Sequence, residues 1–150
     1  MDNIIIKDVS ITPLKTINTE GGDILHGLKM DENDYQGFGE AYFSIIESGA
    51  IKAWKRHRRM TLNIIVPVGA IKFVIYDDRI ESKTRGCFQS IKLSTDNYSR
   101  LNIPPMLWMG FQGCSKGLNM LLNVANIPHD PEESDNIDAN EFVYDWREEK

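Results

Sequence analysis

The chain has 150 residues, of which 41% are hydrophobic and 26% are charged, and its formal net charge is −5 at pH 7. This length and composition are typical of a single globular domain, and an acidic chain has no electrostatic reason to bind nucleic acid or an anionic membrane. No apolar stretch approaches the ~20 residues of a membrane span, and residues 1–7 lack the pattern of a signal peptide, so we expect a cytoplasmic protein.

The hydrophobic pattern of the chain is mostly that of short β-strands. In IKFVIYDDR, the apolar residues Ile71, Phe73 and Ile75 recur with period two, as in a half-buried strand. A nearly continuous apolar run, LNIIVPV, precedes it, and a short turn at Gly69 and Ala70 is expected to join the two. The other predicted strands cover residues 41–46, 51–59, 87–93, 99–103, 108–112 and 118–125, the last of which can also be read as a short helix. Many short strands without strong helices predict an antiparallel sandwich or barrel.

The segment IKAWKRHRRM, residues 51–60, concentrates positive charge in this acidic chain. The segment is too short and too interleaved with apolar residues to be a nucleic-acid-binding tail, so a small anion is the expected partner. On a strand, Ile51, Ala53, Lys55, His57 and Arg59 would share one face. The alternative is that the cations form a solvated surface and that His57 is an incidental neighbour.

The remaining histidines and the cysteines carry weaker signals. His26 precedes a glycine, as turn residues do, and His129 begins the acidic stretch HDPEE, where a cap or turn competes with a metal or substrate contact. Cys87 and Cys114 have neither a disulfide framework nor a metal-ligand spacing, so we expect free thiols. The sequence predicts no metal site and no cofactor.

Residues 128–150 form an acidic C-terminal extension that begins PHDPEESDNIDANE. Because this stretch has few apolar residues, we expect it to wrap the surface until FVYDW anchors it. The three tryptophans are expected to serve mainly in packing, with Trp108 also a candidate ligand contact.

The order of several short motifs resembles the dTDP-4-dehydrorhamnose 3,5-epimerase family of the cupin superfamily, over roughly residues 34–126. The motifs are DYQGFGEAYFS, the cationic strand, VPVGAIKFVIYDDR followed by SKTRG, and SIKLSTDNYSRLNIPPMLWMGF. The resemblance implies a jelly-roll β-barrel from about residue 12 to residue 125, with residues 34–46 and 51–59 as strands. It also implies a homodimer that exchanges or pairs N-terminal residues 1–33, and a nucleotide-diphosphate sugar, dTDP-linked, as the ligand.

The catalytic positions that the resemblance implies are not all matched. Lys55 stands where the family has its histidine base, Met109 where it has a second histidine, and Leu122 where it has a tyrosine acid. Gln36 replaces a family arginine, while Glu40 is kept. The resemblance therefore predicts the fold of this chain more securely than it predicts the reaction.

His57 offers a replacement for the base, because an imidazole titrates near neutral pH and could take a proton from carbon if a carboxylate oriented its other nitrogen. Lys55 could act as the base only with a strongly lowered pKa, and otherwise would bind phosphate or stabilise an enolate. The predicted catalytic residues are thus His57 and Lys55. The predicted substrate contacts are Gln36, Glu40, Lys52, Arg59, Asn63 and Trp108.

Three functions remain open at this point. The first is an isomerase that epimerises a 4-keto-6-deoxy sugar nucleotide beside its ketone. The second is a nucleotide-sugar-binding or accessory protein of the same fold without catalysis. The third is a jelly-roll scaffold whose basic strand serves assembly.

Overall fold

The computed structural model describes residues 4–147, and the N-terminal and C-terminal tips of the two predicted terminal segments, residues 1–3 and 148–150, lie outside the described residues. This part of the chain folds into short strands and one 3-10 turn, Pro131–Glu133. The strands are β1 Ser10–Pro13, β2 Thr16–Ile17, β3 Ile24–Leu25, β4 Glu40–Ile45, β5 Ile51–His57, β6 Leu62–Val68, β7 Ala70–Tyr76, β8 Phe88–Ser94, β9 Ser99–Ile103, β10 Trp108–Gly113, β11 Met120–Ala125 and β12 Ser134–Asn136.

Two five-stranded antiparallel sheets make up the jelly roll. The first sheet has the strand order β1-β9-β6-β11-β4, the second has the order β12-β5-β10-β7-β8, and β2 pairs with β3 alone. The predicted all-β jelly-roll fold is confirmed. The stretch 118–125, for which a helix was an alternative, forms β11 between β6 and β4.

Gly69 joins strands of different sheets. The turn expected there exists, but β6 lies in the first sheet and β7 in the second, so the two strands do not form a hairpin. Gly69 has φ +79°, and a Cβ atom at this position would lie 2.3 Å from the carbonyl oxygen of Leu118. Glycine is therefore required both by the backbone conformation and by the close approach of the neighbouring chain.

The main core fills the space between the two sheets. Alternate residues of β6 and β7 point into it, and Ile64, Phe73 and Ile75 are each at most 1% exposed. Phe73 and Ile75 belong to the period-two run that predicted β7, and Ile64 belongs to the continuous apolar run that predicted β6. The strand that was expected to be half-buried is buried on both faces, since Val74 on the other face of β7 is 0% exposed.

The N-terminal segment is held to the first sheet of its own chain. Strand β1 pairs with β9, and the fully buried Arg100 donates from Nη2 to Glu32 at 2.7 Å and to Asp34 at 2.8 Å. The predicted strand 34–46 begins only at Glu40, because Asp34 serves as a partner of Arg100 in the loop before it. Exchange of residues 1–33 across a dimer remains a prediction.

The motif DDR, followed by SKTRG, forms a hydrogen-bonded cluster away from the space between the sheets. The fully buried carboxylate of Asp77 accepts from Arg79 Nε at 2.9 Å, from Ser82 Oγ at 2.5 Å and from Thr84 Oγ1 at 2.6 Å. Arg79 also donates to Asp8 at 3.1 Å. The DDR and SKTRG motifs therefore have a structural role in this chain: they connect the segment after β7 to the N-terminal segment.

The C-terminal extension covers the outer face of the second sheet. Trp54 and Trp108, buried on that face, pack against Phe142, Tyr144 and Trp146 of the extension. The ring centroid of Trp54 lies 5.3 Å from that of Phe142 and 5.4 Å from that of Trp146. FVYDW is the expected anchor, but the acidic stretch before it does more than wrap the surface, since it supplies β12 and the buried Glu133.

Within residues 4–147, no helix has the length and apolar character needed to cross a membrane.

Candidate active site

A cavity of about 660 Å³ opens between the two sheets. Three parts of the chain form its walls: the inner face of the first sheet, the inner face of β5 and β10, and the start of the C-terminal extension. The polar or ionisable side chains that line it are Glu40, Tyr42, Ser44, Lys52, Lys55, His57, Asn123, His129 and Asn136. Apolar residues, among them Met60, Ile64, Phe111 and Leu121, make up the floor. Such a concave site with a few convergent polar groups is typical of a small-molecule site.

His57 and Glu133 form a hydrogen-bonded pair in the cavity wall. His57 Nδ1 contacts Glu133 Oε1, while Glu133 Oε2 accepts from the backbone N–H groups of Arg59 at 3.1 Å and Met60 at 3.2 Å. The side chain of Glu133 is 1% exposed and that of His57 is 12% exposed. With Nδ1 engaged, Nε2 is the ring nitrogen that remains for a ligand in the cavity.

The charge of Glu133 is stabilised where it lies. Burial by itself raises the pKa of Glu133, but the hydrogen bonds from His57 and from the backbone of Arg59 and Met60 outweigh burial and lower this pKa below its usual value. An ionised carboxylate on Nδ1 fixes the orientation of the imidazole and stabilises its protonated form. This is the carboxylate partner on which the sequence-based role of His57 depended.

The two lysines expected in the site reach the cavity. Lys55 lies opposite Met109 of β10, and its ammonium group makes no hydrogen bond or ion pair with any other described residue. Lys52 also lines the cavity, and its Nζ donates to the backbone oxygen of Ile45 at 3.2 Å. Both ammonium groups are therefore placed to meet an anionic ligand.

The other face of β5 is occupied by structural contacts. The guanidinium carbon of Arg56 lies 4.6 Å from the ring centroid of Trp108, and Arg56 Nη2 donates to Asp135 at 2.8 Å. Trp108 Nε1 donates to Asp78 Oδ2 at 2.9 Å. The structure does not bring Trp108, which was expected to touch the ligand, into the cavity, because it lies on the face that the extension covers.

Three further residues that were expected to contact the ligand also lie outside the cavity lining. Arg59 follows the end of β5 at His57, so strand alternation no longer sets its direction, and it pairs with Asp130 at 3.0 Å. Asn63 points away from the cavity and accepts from Arg100 Nε at 3.2 Å. Gln36 is exposed in the loop before β4. Glu40, by contrast, lines the cavity as expected.

The structure also adds residues that the sequence did not single out. Glu133 carries no local signal, because its partner His57 is 76 residues away. Tyr42 could have been found from the period-two face that it shares with Glu40 and Ser44. Leu122, the position aligned with the family tyrosine, does not line the cavity, whereas its neighbour Asn123 does.

Of the two histidines that were weaker candidates for ligand contact, one lines the cavity and the other does not. His129 belongs to the start of the C-terminal extension and lines the cavity. His26 lies in a loop, where its backbone oxygen accepts from Tyr98 at 2.7 Å. Between residues 4 and 147, no three His, Cys, Asp or Glu side chains come together in a way that could hold a metal ion.

No family model matches the sequence. The chain is similar to the structure of a dTDP sugar isomerase from Desulfovibrio desulfuricans G20, with 36% identity, a TM-score of 0.92, and coverage of 97% of this chain and 94% of that chain. It is 28% identical to the probable low-salt glycan biosynthesis epimerase Agl13 of Haloferax volcanii, over 96% of each chain. A dTDP-4-dehydrorhamnose 3,5-epimerase from Elizabethkingia anophelis NUHP1 shares the fold, with 16% identity, a TM-score of 0.82, and coverage of 99% of this chain and 86% of that chain.

Proposed function

Because the chain belongs to the dTDP-4-dehydrorhamnose 3,5-epimerase family of sugar-nucleotide epimerases, we propose that it epimerises a dTDP-linked 4-keto-6-deoxy sugar at a carbon beside the ketone. The observation that carries this proposal is the pair of His57 and Glu133 in the cavity wall. The pair supplies a base with one oriented nitrogen at a site large enough for a sugar ring.

The proposed reaction begins with His57 Nε2 taking the proton from the carbon next to the ketone. The electron pair of that C–H bond becomes the C=C bond of an enolate, and the negative charge moves to the ketone oxygen. Lys55 supports this step, since an ammonium group that lines the cavity stabilises charge that develops on the oxygen. Return of a proton to the opposite face of the carbon gives the epimer and restores the ketone.

Lys55 and Lys52 are also proposed to bind the diphosphate end of the substrate. Hydrogen bonds from cations to phosphate are stronger than neutral ones and place the sugar relative to His57. Glu40, which lines the same cavity, is proposed as a contact to a sugar hydroxyl or the nucleoside.

The test is to incubate the protein with dTDP-4-keto-6-deoxyglucose in deuterated water and to follow the C3 and C5 protons by NMR. The unaltered protein should exchange at least one of these positions. His57→Ala should abolish exchange and keep dTDP affinity within about threefold, whereas Lys55→Ala should mainly weaken binding or slow exchange. Exchange that survives in His57→Ala and disappears in Lys55→Ala would assign the base to the lysine.

A second candidate function is a nucleotide-sugar-binding or accessory protein without catalysis. Met109, which stands where the family has its second histidine, favours this candidate, because a thioether cannot transfer a proton. Saturable binding of dTDP without any exchange at C3 or C5 would select it.

We also propose a homodimer and a cytoplasmic location. The outer face of edge strand β4 supports the dimer, because Phe43 is 64% exposed and Ile45 is 53% exposed there. An exposed apolar edge of this kind is normally covered by a partner. Sedimentation of the purified protein at twice the monomer mass of 17.2 kDa would support the dimer.

A further inference from the structure

A second cavity, of about 300 Å³, lies at the outer face of the second sheet and shares no lining residue with the candidate active site. Three of its lining residues, Lys72, Lys92 and Arg147, are basic, and the described residues that line it include no Asp or Glu. The other lining residues are Ser48, Gly49, Gln112, Gly113, Cys114 and Trp146. Because the chain as a whole is acidic, a concave site that gathers three cations is a candidate site for an anion.

The register of the second sheet places two of these cations side by side. Lys72 of β7 stands directly opposite Lys92 of β8, and Gln112 of β10 stands opposite Lys72 on its other side. Side chains directly opposite in an antiparallel pair point to the same face of the sheet, and like charges at such positions destabilise the pairing. An anion bound between the two ammonium groups would offset this repulsion.

The C-terminal extension holds one of the two lysines in place. Lys72 is 5% exposed, and its Nζ donates to the backbone oxygen of Trp146 at 2.6 Å. The same Nζ lies 5.7 Å from the centroid of the Trp146 ring and 5.9 Å from that of Tyr144. Because these contacts already order the side chain, little of its conformational entropy remains to be lost when a ligand binds.

The extension also brings a guanidinium group to the cavity. Arg147 donates from Nε to Asp145 at 3.1 Å, which neutralises part of the positive charge, but the cations that line the cavity outnumber this carboxylate. Ser48 adds a hydroxyl group to the lining and Gln112 adds an amide. Guanidinium and ammonium groups bind phosphate through charge-assisted hydrogen bonds, and a phosphate dianion compensates more of the excess charge than a carboxylate does.

We propose that the second cavity binds a phosphate group, either as inorganic phosphate or as part of a sugar phosphate. The phosphate lies between Lys72 and Lys92, with Arg147 at the rim of the site. The ring of Trp146 is the lining surface against which the sugar of a sugar phosphate would pack. This site does not depend on the proposed epimerase function, because its lining includes no residue of the candidate active site.

The experiment follows the indole N–H signals of the three tryptophans by NMR, with the signal of Trp146 assigned by its loss in Trp146→Phe. The protein is titrated with sodium phosphate and, separately, with glucose 1-phosphate, while sodium chloride keeps the ionic strength constant. The Trp146 signal should shift saturably, with a dissociation constant of about 1 mM or less. The signals of Trp54 and Trp108 should move less, because their indole N–H groups donate to Ala139 and Asp78 outside the second cavity. Tighter binding of glucose 1-phosphate would identify the ligand as a sugar phosphate, and equal or weaker binding would identify it as inorganic phosphate.

Two matched variants test the role of the lysine pair. Lys92 is exposed, so Lys92→Gln should fold, and it should raise the dissociation constant for phosphate at least about 10-fold, as the loss of one charged hydrogen bond predicts. Lys83→Gln removes the same charge from an exposed turn and should change this constant by less than about twofold, because solvent and salt screen a distant charge.

The remaining outcomes each contradict the proposal. A Trp146 signal that does not shift, or that shifts without saturation, shows that the second cavity does not bind phosphate. Equal effects of Lys92→Gln and Lys83→Gln show that only the overall charge matters. If the shift is lost in Lys55→Gln and kept in Lys92→Gln, phosphate binds in the candidate active site instead.

Discussion

His57 and Glu133 are 76 residues apart in the chain and share a hydrogen bond in the wall of the cavity. The pairing of β12 with β5, in which Ser134 stands opposite His57, brings them together. The carboxylate is held in turn by two backbone N–H groups of the turn after β5, so the orientation of the imidazole depends on the C-terminal extension.

Replacing Glu133 by Gln should slow solvent-deuterium exchange by about 10²–10³-fold, within the range contributed by an oriented acid or base. The amide keeps an acceptor for the backbone N–H groups of Arg59 and Met60 but no longer stabilises a protonated imidazole. The neighbouring exposed residue is the control, and Glu132→Gln should exchange like the unaltered protein. Equal exchange rates in the two variants would show that the carboxylate does not support the base.

Phosphate recognition is expected to depend on the lysines of the cavity rather than on the arginines that follow in the sequence. Lys52→Ala and Lys55→Ala should each raise the dissociation constant for dTDP by about 10–100-fold, which corresponds to the roughly 1.5–3 kcal/mol of a charged hydrogen bond. Arg58→Ala and Arg59→Ala should change it by less than about threefold, because these side chains pair with Asp135 and Asp130. Calorimetric titration with dTDP measures all four, and a large effect confined to the arginines would place the phosphates outside this cavity.

The Asp77 cluster should make stability depend on acidic pH. Burial alone raises the pKa of Asp77, but hydrogen bonds from Arg79, Ser82 and Thr84 more than offset burial and hold this pKa well below its usual value. A carboxyl group with a lowered folded-state pKa stabilises the protein above the unfolded-state pKa, about 4, and this contribution is lost as the pH falls through the folded-state value.

Asp77→Asn should therefore lower the free energy of unfolding by about 3–5 kcal/mol at pH 7, because it leaves Arg79 without its buried partner. The loss should shrink as the pH is lowered below about 4. Urea denaturation at pH 7 and at acidic pH measures both values, with Asp96→Asn in an exposed turn as the control. A deficit that is independent of pH would contradict the ionic origin of the effect.

Phe142 should couple the extension to both stability and activity. Its ring lies 5.3 Å from that of Trp54 and 4.5 Å from that of Tyr76 between centroids. Phe142→Ala should lower the free energy of unfolding by about 2–3 kcal/mol, less than for a fully buried ring, and should slow deuterium exchange because the same extension carries Glu133. Val143 is 98% exposed, so Val143→Ala should leave both quantities unchanged. If the two variants behave alike in urea denaturation and exchange, the extension does not depend on this aromatic contact.

The sequence by itself determined the strands and the family. Segments such as residues 71–76 and 99–103 were recognised because their apolar residues alternate along the sequence, and this period is a local property of the chain. The same alternation correctly placed Lys55 and His57 toward the cavity, since both lie within β5. The order of short motifs carried the resemblance to the epimerase family.

Only the tertiary structure decided what surrounds those residues. Alternation does not say where a strand ends, so Arg59 was predicted to follow His57 into the cavity although β5 has already ended. Periodicity also does not say which sheet a strand joins or which side of that sheet holds a ligand, and Trp108, a candidate ligand contact, lies on the face that the C-terminal extension covers. The pairing of His57 with Glu133 and the placement of Tyr42 on the facing wall depend on contacts between segments distant in sequence. Such contacts arise from the packing of two sheets and an extension. A periodic pattern reports only the local environment of each residue, so it does not predict them.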